Sequence, residues 1–200
     1  MIPDDLAELA FGQLKAAGIE NTRKEARLLW DAAKGDREAF LQVLTRRCNR
    51  EPMSHILGYR AFFEHDFLVT ADVLDPRPET ETLVLAALEH DFGSVLDLGT
   101  GSGCILLSLL AKRSGAMGLG VDRSVKALIV AQQNSEKLAL TSQAKFMQSD
   151  WFGNVTGEFD LIVSNPPYIA AEEMPGLAPE VRHFEPRMAL TDEVDGLDAY

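Results

Sequence analysis

The residues best suited to chemistry are the tetrapeptide Asn165-Pro166-Pro167-Tyr168, which directly follows the apolar run FDLIVS. The side-chain carbonyl of Asn165 and the backbone carbonyl of Pro166 can each accept one N–H hydrogen bond, so together they could hold a planar NH2 group. Pro166 and Pro167 stiffen the loop. Tyr168 either offers an aromatic face to the held group or to a cation, or packs the loop.

A second group of residues is a glycine-rich loop that follows the apolar run VLDL. Gly99, Gly101 and Gly103 let the backbone turn sharply and approach a ligand beneath the start of a helix. A dinucleotide fingerprint would need glycine at 104 or 106, where the chain has Cys104 and Leu106. A flat or anionic ligand other than a dinucleotide is favoured, and a tight turn without a ligand is the alternative.

One acidic residue makes that alternative weaker. Asp122 ends the next predicted strand, nineteen residues after Gly103. Strands of a parallel sheet end at the same edge, so Asp122 is placed to accept hydrogen bonds from both hydroxyls of a ribose.

The elements that carry these motifs alternate between helix and strand patterns from residue 79 onwards. The short apolar runs VLDL, LGV and LIV are typical of strands that are buried on both faces, and helical runs separate most of them. This order predicts an α/β fold with a parallel sheet covered by helices. After Tyr168 the sequence predicts a surface segment with a short helix and no further strand.

The first part of the chain follows a different pattern. Apolar residues such as Leu6, Leu9 and Leu14 recur at three- and four-residue intervals, which predicts a small helical bundle over residues 1–58. Residues 61–74 are rich in Phe and Val without helical spacing, and prolines follow, so a β-hairpin linker is expected over 59–78. Residues 79–200 form the third predicted part.

Composition excludes several classes of protein. The 200 residues are 46% hydrophobic and carry a net charge of −12, which disfavours nonspecific binding to nucleic acid. The two cysteines and four histidines have no metal-ligand spacing, so no metal site is expected. The chain shows neither a signal peptide nor a membrane-spanning run, and a cytoplasmic protein is predicted.

Several motifs in register carry a resemblance to a known family. The spacing DxGxGxG over 97–103 resembles the first motif of S-adenosylmethionine-dependent methyltransferases, and NPPY resembles the signature of those that modify a planar NH2 group. With EPMSHILGYRAFF (51–63), PRPET (76–80), SDWF (149–152) and FEPRMAL (184–190), the chain closely resembles HemK-type protein N5-glutamine methyltransferases. The resemblance implies a Rossmann-like class I methyltransferase domain preceded by the helical domain and the hairpin.

The same resemblance implies a cofactor, a substrate and site residues. The cofactor is S-adenosylmethionine, and the substrate is the glutamine in the Gly-Gly-Gln motif of peptide-chain release factors. Asn165, Pro166 and Tyr168 would be the catalytic residues, and the whole tetrapeptide, Pro167 included, would bind the substrate amide. No general base is needed, because the nitrogen becomes acidic once it is methylated. The implied cofactor site comprises a glycine loop, a ribose acceptor, two residues flanking the adenine and the amide-binding asparagine: Gly99, Thr100, Gly101, Ser102, Gly103, Asp122, Asp150, Trp151 and Asn165.

Three other functions stay open on the sequence. A ribosomal-protein glutamine is the nearest alternative substrate. Amino groups of nucleic acids fit NPPY, but residues 61–200 carry nine basic against 22 acidic side chains. A non-catalytic cofactor-binding or release-factor-binding module has little use for two amide acceptors.

Residues 23–60 carry nine basic against five acidic side chains and are either a patch for an acidic protein substrate or a solvated helix face.

One departure from the family pattern concerns the end of the sequence. The resemblance implies a sheet of order 3-2-1-4-5-7-6, whereas the sequence ends before the fifth strand. The catalytic domain over 79–200 is therefore expected to lack the C-terminal strands of the family, with the NPPY strand at an open sheet edge, and we expect the chain to be a fragment.

Overall fold

The computed structural model describes residues 1–197. Its α-helices are α1 (Asp4–Ala16), α2 (Thr22–Ala32), α3 (Arg37–Cys48), α4 (Met53–Leu57), α5 (Glu81–Leu88), α6 (Cys104–Lys112), α7 (Val125–Lys137) and α8 (Pro179–Phe184). Its strands are β1 (Tyr59–Phe62), β2 (His65–Leu68), β3 (Ser94–Leu98), β4 (Met117–Asp122), β5 (Ala144–Gln148) and β6 (Leu161–Ser164). Short 3-10 helices cover Pro78–Thr80, Met174–Gly176 and Arg187–Ala189.

The first of two compact units comprises residues 1–58 and 178–184. Its core is an apolar stripe at helical spacing from α1, α2 and α3, and its fully buried members include Leu6, Leu14 and Phe40. Leu9 lies at the margin of the stripe and is 41% exposed, so the apolar spacing overestimated its burial.

An ion-pair network attaches α8 to this unit. The Arg47 guanidinium is buried and donates to Glu25 at 2.7 Å and to Glu180 of α8 at 3.1 Å. Arg50 donates to the other oxygen of Glu180 at 2.7 Å. Burial opposes the charge of Arg47, but hydrogen bonds to Glu25 and Glu180 outweigh it and raise the pKa of Arg47. Through these contacts α8 packs with the first unit. The sequence had predicted it to be part of the catalytic domain over residues 79–200.

The second unit comprises residues 59–177 and 185–200, of which the last three lie outside the described residues. Its main sheet is parallel throughout, with the order β5-β4-β3-β6. This is the 3-2-1-4 order of a Rossmann-like domain, as predicted. Among residues 1–197, the strand that leads into NPPY pairs with β3 alone and lies at the sheet edge.

The core of the second unit is split between the two faces of the sheet. Helix α6 is buried along most of its length and packs with α5, Val95 and Val163. On the opposite face, Leu96 and Leu98 pack with Val121. Because β3 is covered on both faces, its sequence is an apolar run interrupted only by the buried Asp97.

The predicted hairpin is present but shorter than expected. Strands β1 and β2 pair antiparallel over residues 59–68, and they belong to the second unit rather than to a separate linker. The predicted hairpin linker over 59–78 was therefore too long, because residues 69–77 form no strand. Asn134 of α7 bonds both Leu68 N (2.7 Å) and Leu68 O (3.0 Å) at the end of β2, and it also donates to Ser102 O at 2.9 Å. One buried amide thus ties the hairpin to the glycine loop.

Candidate functional site

The glycine loop joins β3 to α6 in a conformation that requires glycine. Gly99, Gly101 and Gly103 have φ values of 69°, 55° and 79°, in the left-handed region that other residues rarely adopt. The Thr100 amide donates to the Val121 carbonyl of β4 at 2.9 Å, which holds the loop against the neighbouring strand.

Not all predicted loop residues face the same way. Gly99, Thr100, Gly101 and Ser102 line a large cavity at the carboxyl ends of the strands, whereas Gly103 does not. A Cβ at Gly103 would lie 3.1 Å from Leu107 Cδ1 and 3.3 Å from Ala131 Cβ, so helix packing requires its small size.

Two carboxylates accept hydrogen bonds from the glycine loop. Asp97 of β3 is completely buried and accepts a hydrogen bond from Thr100 Oγ1 at 2.7 Å. Burial raises the pKa of Asp97 to about 7, although the Thr100 hydroxyl opposes this shift. Asp122, at the end of β4, accepts from the Gly101 amide at 3.0 Å and from the Ser124 amide at 2.8 Å. A carboxylate has further lone pairs, so Asp122 can still accept from a ligand in the cavity that it lines.

The far end of the cavity is a tight turn after β5. Trp151 has a left-handed φ of 48°, and Ser149 Oγ stabilises the turn by donating to the Trp151 carbonyl at 2.8 Å. Trp151 both lines the cavity and packs against the core around Leu96. The same side chain is therefore both a cavity wall and part of the core of the second unit. Asp150 also lines the cavity and lies 3.7 Å from Arg123.

A second cavity lies beside the first, at the NPPY loop. Arg77, Thr80 and Asn165 line both cavities. Tyr168 is 60% exposed and lines the second cavity, whereas Pro167 lines the first. Pro166, which the sequence predicted to hold the substrate amide, lines neither of these two cavities.

Contacts outside the predicted motifs support the NPPY loop. Ser164 Oγ donates to Leu98 O at 2.9 Å, which joins the ends of β6 and β3. After the loop, the Ile169 amide donates to Leu190 O at 3.0 Å. Segment 185–191 is thereby held beside the loop, and it contributes cavity-lining side chains such as Met188.

A buried ion pair anchors the same segment. Glu185 has a side chain that is 2% exposed, and it accepts two hydrogen bonds from Arg77 Nη2, at 2.6 and 2.7 Å. The pair links segment 185–191 to the PRPET turn. Both residues lie in motifs that the sequence singled out, PRPET and FEPRMAL, but the sequence predicted no role for Arg77 or Glu185.

Other cavity residues were also missed from the sequence. Segment 72–77, Thr80, Ser124 and Pro186 line the first cavity, and they come from loops whose side-chain directions no periodic pattern reveals. Glu79, the only acid of PRPET, lines the second cavity and does not line the first.

Residues 1–197 contain no cluster of three or more His, Cys, Asp or Glu side chains that could hold a metal ion, and no helix long and apolar enough to cross a membrane. Cys104 lines the first cavity, but burial raises its pKa to about 12. Its thiol stays protonated near neutral pH and is a poor nucleophile.

The fold and the paired cavities define a Rossmann-like methyltransferase, and comparisons with known proteins agree. Residues 70–179 match the family model described as methyltransferase small domain. The catalytic domain of human Mettl16, solved with an RNA hairpin, superposes with a TM-score of 0.51 at 19% identity, over 64% of this chain and 50% of that one, which supports the fold alone.

Relatives narrow the class further. A release factor glutamine methyltransferase from Rhodospirillum rubrum is 48% identical over 94% of this chain and 64% of its own length. One from Cereibacter sphaeroides is 46% identical over 98% of this chain and 77% of its own length. The chain belongs to the release factor glutamine methyltransferase family. It spans about two thirds of the length of the first relative.

Proposed function

We propose that this chain transfers a methyl group from S-adenosylmethionine to the side-chain amide nitrogen of a glutamine in a protein substrate. The observation that carries the proposal is the pair of adjoining cavities that share Asn165. One cavity has the features of a nucleoside site, and the other contains an amide acceptor at its boundary with the first. A methyl donor and an amide acceptor would therefore meet at Asn165.

The residues of the first cavity fit the proposed cofactor. Asp122 has acceptor capacity left for ribose hydroxyls, and Trp151 supplies an apolar wall for a purine. The left-handed glycines leave room for the amino-acid part, since a Cβ at Gly99 would contact nothing within 4 Å. When bound, S-adenosylmethionine supplies an electrophilic methyl group on a sulfonium.

The chain's own part in the reaction is binding and orientation. The amide nitrogen of glutamine is a weak nucleophile because its lone pair is delocalised into the carbonyl. The side-chain carbonyl of Asn165 and the backbone carbonyl of Pro166 would accept its two N–H groups, which aims the lone pair toward the first cavity. After transfer the nitrogen is acidic, and its proton leaves to water.

The proposed substrate is the glutamine of the Gly-Gly-Gln motif in peptide-chain release factors. The names of the relatives describe those proteins as methyltransferases of a release factor glutamine. Such a substrate places the activity in the cytoplasm.

A substrate-recognition role for the first unit is part of the proposal. Arg37, Arg46, Arg47 and Arg50 are engaged in ion pairs within the chain. Positive charge is still presented on α2, whose cationic side chains at 23, 24 and 27 are exposed. We propose that this face meets an acidic surface of the substrate, so we expect binding to weaken with salt.

The test is peptide-resolved mass spectrometry of a release factor incubated with the protein and S-adenosylmethionine. One added methyl on the Gly-Gly-Gln glutamine is expected, and Asn165→Ala should abolish it while binding of S-adenosylhomocysteine persists. An unmodified release factor, with cofactor binding intact, would refute the proposed substrate. Incubation with ribosomal proteins in parallel tests the nearest alternative.

A further inference from the structure

The side-chain amide of Asn165 has to point in one particular direction to serve the proposed function. Its oxygen accepts hydrogen bonds and its NH2 group only donates them, yet the two ends are almost equal in size. If the NH2 group faced the second cavity, it would repel the N–H groups of the substrate amide. Something in the site must therefore select one of two orientations that sterics alone do not distinguish.

The structure shows one contact in which the Asn165 amide has the required orientation. Asn165 Nδ2 donates to Thr80 Oγ1 at a distance of 3.5 Å, at the long end of the hydrogen-bond range. Both side chains are half-buried, and both line the two cavities. With Nδ2 directed to Thr80, the Asn165 oxygen is left for another partner.

Thr80 does not have the ordinary role of a threonine at its position. It is the residue before α5, where a threonine side chain commonly caps the helix by accepting from a backbone N–H. Its side chain makes no such bond, whereas Asp36 before α3 and Ser124 before α7 do. The Thr80 hydroxyl is thus available to Asn165.

The backbone around Thr80 is held in place. Pro78 starts the 3-10 turn Pro78–Thr80, and the Thr80 amide donates to Arg77 O at 3.0 Å. Arg77 is in turn held by the buried carboxylate of Glu185. The backbone that carries the Thr80 hydroxyl is therefore held by a hydrogen bond and, through Arg77, by a buried ion pair.

We propose that Thr80 is a positioning residue: its Oγ1 accepts from Asn165 Nδ2 and so directs the Asn165 oxygen toward the substrate amide. This inference rests on the proposed function for the role of Asn165. It assigns no contact between Thr80 and the reacting atoms.

The test compares variants that separate the effect of the Thr80 hydroxyl from the effect of the side chain's shape. Thr80→Val keeps the shape and loses the acceptor, and we expect kcat to fall about tenfold, the effect of losing one hydrogen bond. Thr80→Ser restores the acceptor and should regain most of kcat. Thr82→Val is the matched control, because Thr82 is exposed, lines neither cavity and donates to Glu79 O.

A double-mutant cycle shows whether Thr80 acts through Asn165. In Asn165→Asp both side-chain oxygens accept, so no orientation has to be chosen. In that background, Thr80→Val should cause no further loss in single-turnover methylation. An equal loss in both backgrounds, or an unchanged kcat in Thr80→Val itself, would overturn the inference.

A measurement without turnover separates this inference from the proposed function. The side-chain NH2 signals of Asn165 in a 15N-correlated NMR spectrum should shift in Thr80→Val and stay close to wild type in Thr80→Ser and Thr82→Val. If these signals behave as expected but wild type methylates no glutamine, the proposed function fails while the contact stands. Signals that do not respond to Thr80→Val would refute the contact itself.

Discussion

Substituting Gly103 by alanine should destabilise the second unit without weakening its affinity for the cofactor. The residue has a φ of 79°, and the left-handed conformation costs a residue with a Cβ about 1–2 kcal/mol. The new Cβ would lie 3.1 Å from Leu107 Cδ1 and 3.3 Å from Ala131 Cβ, contacts that require small shifts in α6 and α7. Overpacking adds about 1 kcal/mol or more, so we expect a total loss of about 2–4 kcal/mol.

Gly99→Ala is the matched comparison, because it separates conformation from ligand contact. Its φ of 69° gives a similar backbone cost, but its Cβ would meet nothing within 4 Å. Gly99 lines the first cavity and its Cβ would enter open space, so we expect the added methyl to occupy room that the proposed cofactor needs. We expect a loss of about 1–2 kcal/mol in stability and a clearly weaker affinity for S-adenosylhomocysteine.

Fluorescence of one tryptophan can report both quantities. The chain has two, Trp30 in the first unit and Trp151 in the cavity of the second. In a Trp30→Phe background, Trp151 emission follows urea unfolding of the second unit and titration with S-adenosylhomocysteine. If Gly103→Ala weakens the ligand while leaving the unfolding midpoint unchanged, Gly103 is a ligand contact, and the packing argument is refuted.

Three further predictions concern buried charges. Glu185→Ala should lower stability by about 1–3 kcal/mol in urea melts, since it leaves Arg77 without its main carboxylate partner; an unchanged midpoint would contradict this. The folded state raises the pKa of Asp97 from 3.8 to about 7, so stability should fall as the pH rises between these values, and Asp97→Asn should flatten that slope in melts at pH 4.5 and 7.5. Burial raises the pKa of Glu180, but the hydrogen bonds from its two arginine partners outweigh burial and lower the pKa. Glu180→Gln should therefore reduce the free energy of unfolding at pH 7 and reduce it progressively less below pH 4.5. A loss of stability that is the same at both pH values would count against the ion pairs.

Much of the fold could be predicted from local sequence patterns. The apolar runs VLDL at 95–98 and LIV at 161–163 lie in strands β3 and β6 of the sheet. Only β3 is buried on both faces as the pattern predicted, because β6 lies at the sheet edge and its Ile162 is 51% exposed. The glycine loop was equally recognisable, because a left-handed backbone at three alternate positions favours glycine strongly. Such signals depend on each segment's own backbone and burial.

Other features depend on contacts between residues far apart in the sequence. Helix α8 belongs to the first unit because Glu180 meets Arg47 and Arg50, more than a hundred residues earlier. Arg77 and Glu185 likewise meet across 108 positions. Nothing in the local pattern of either segment indicates its partner, so sequence reasoning could not foresee these two pairings.

The sequence by itself determined the class of fold and the main chemical motifs, from Gly99 to Asn165, because turn geometry, strand burial and acceptor chemistry are written in residue type and spacing. Tertiary structure decided which side chains share a cavity. Gly103 contacts helices α6 and α7 instead of lining the cavity, and Thr80 contacts Asn165, 85 positions later in the sequence. Tyr168 lines the second cavity and not the first. Side-chain direction in loops depends on the packing of the whole unit, and no periodic pattern encodes it.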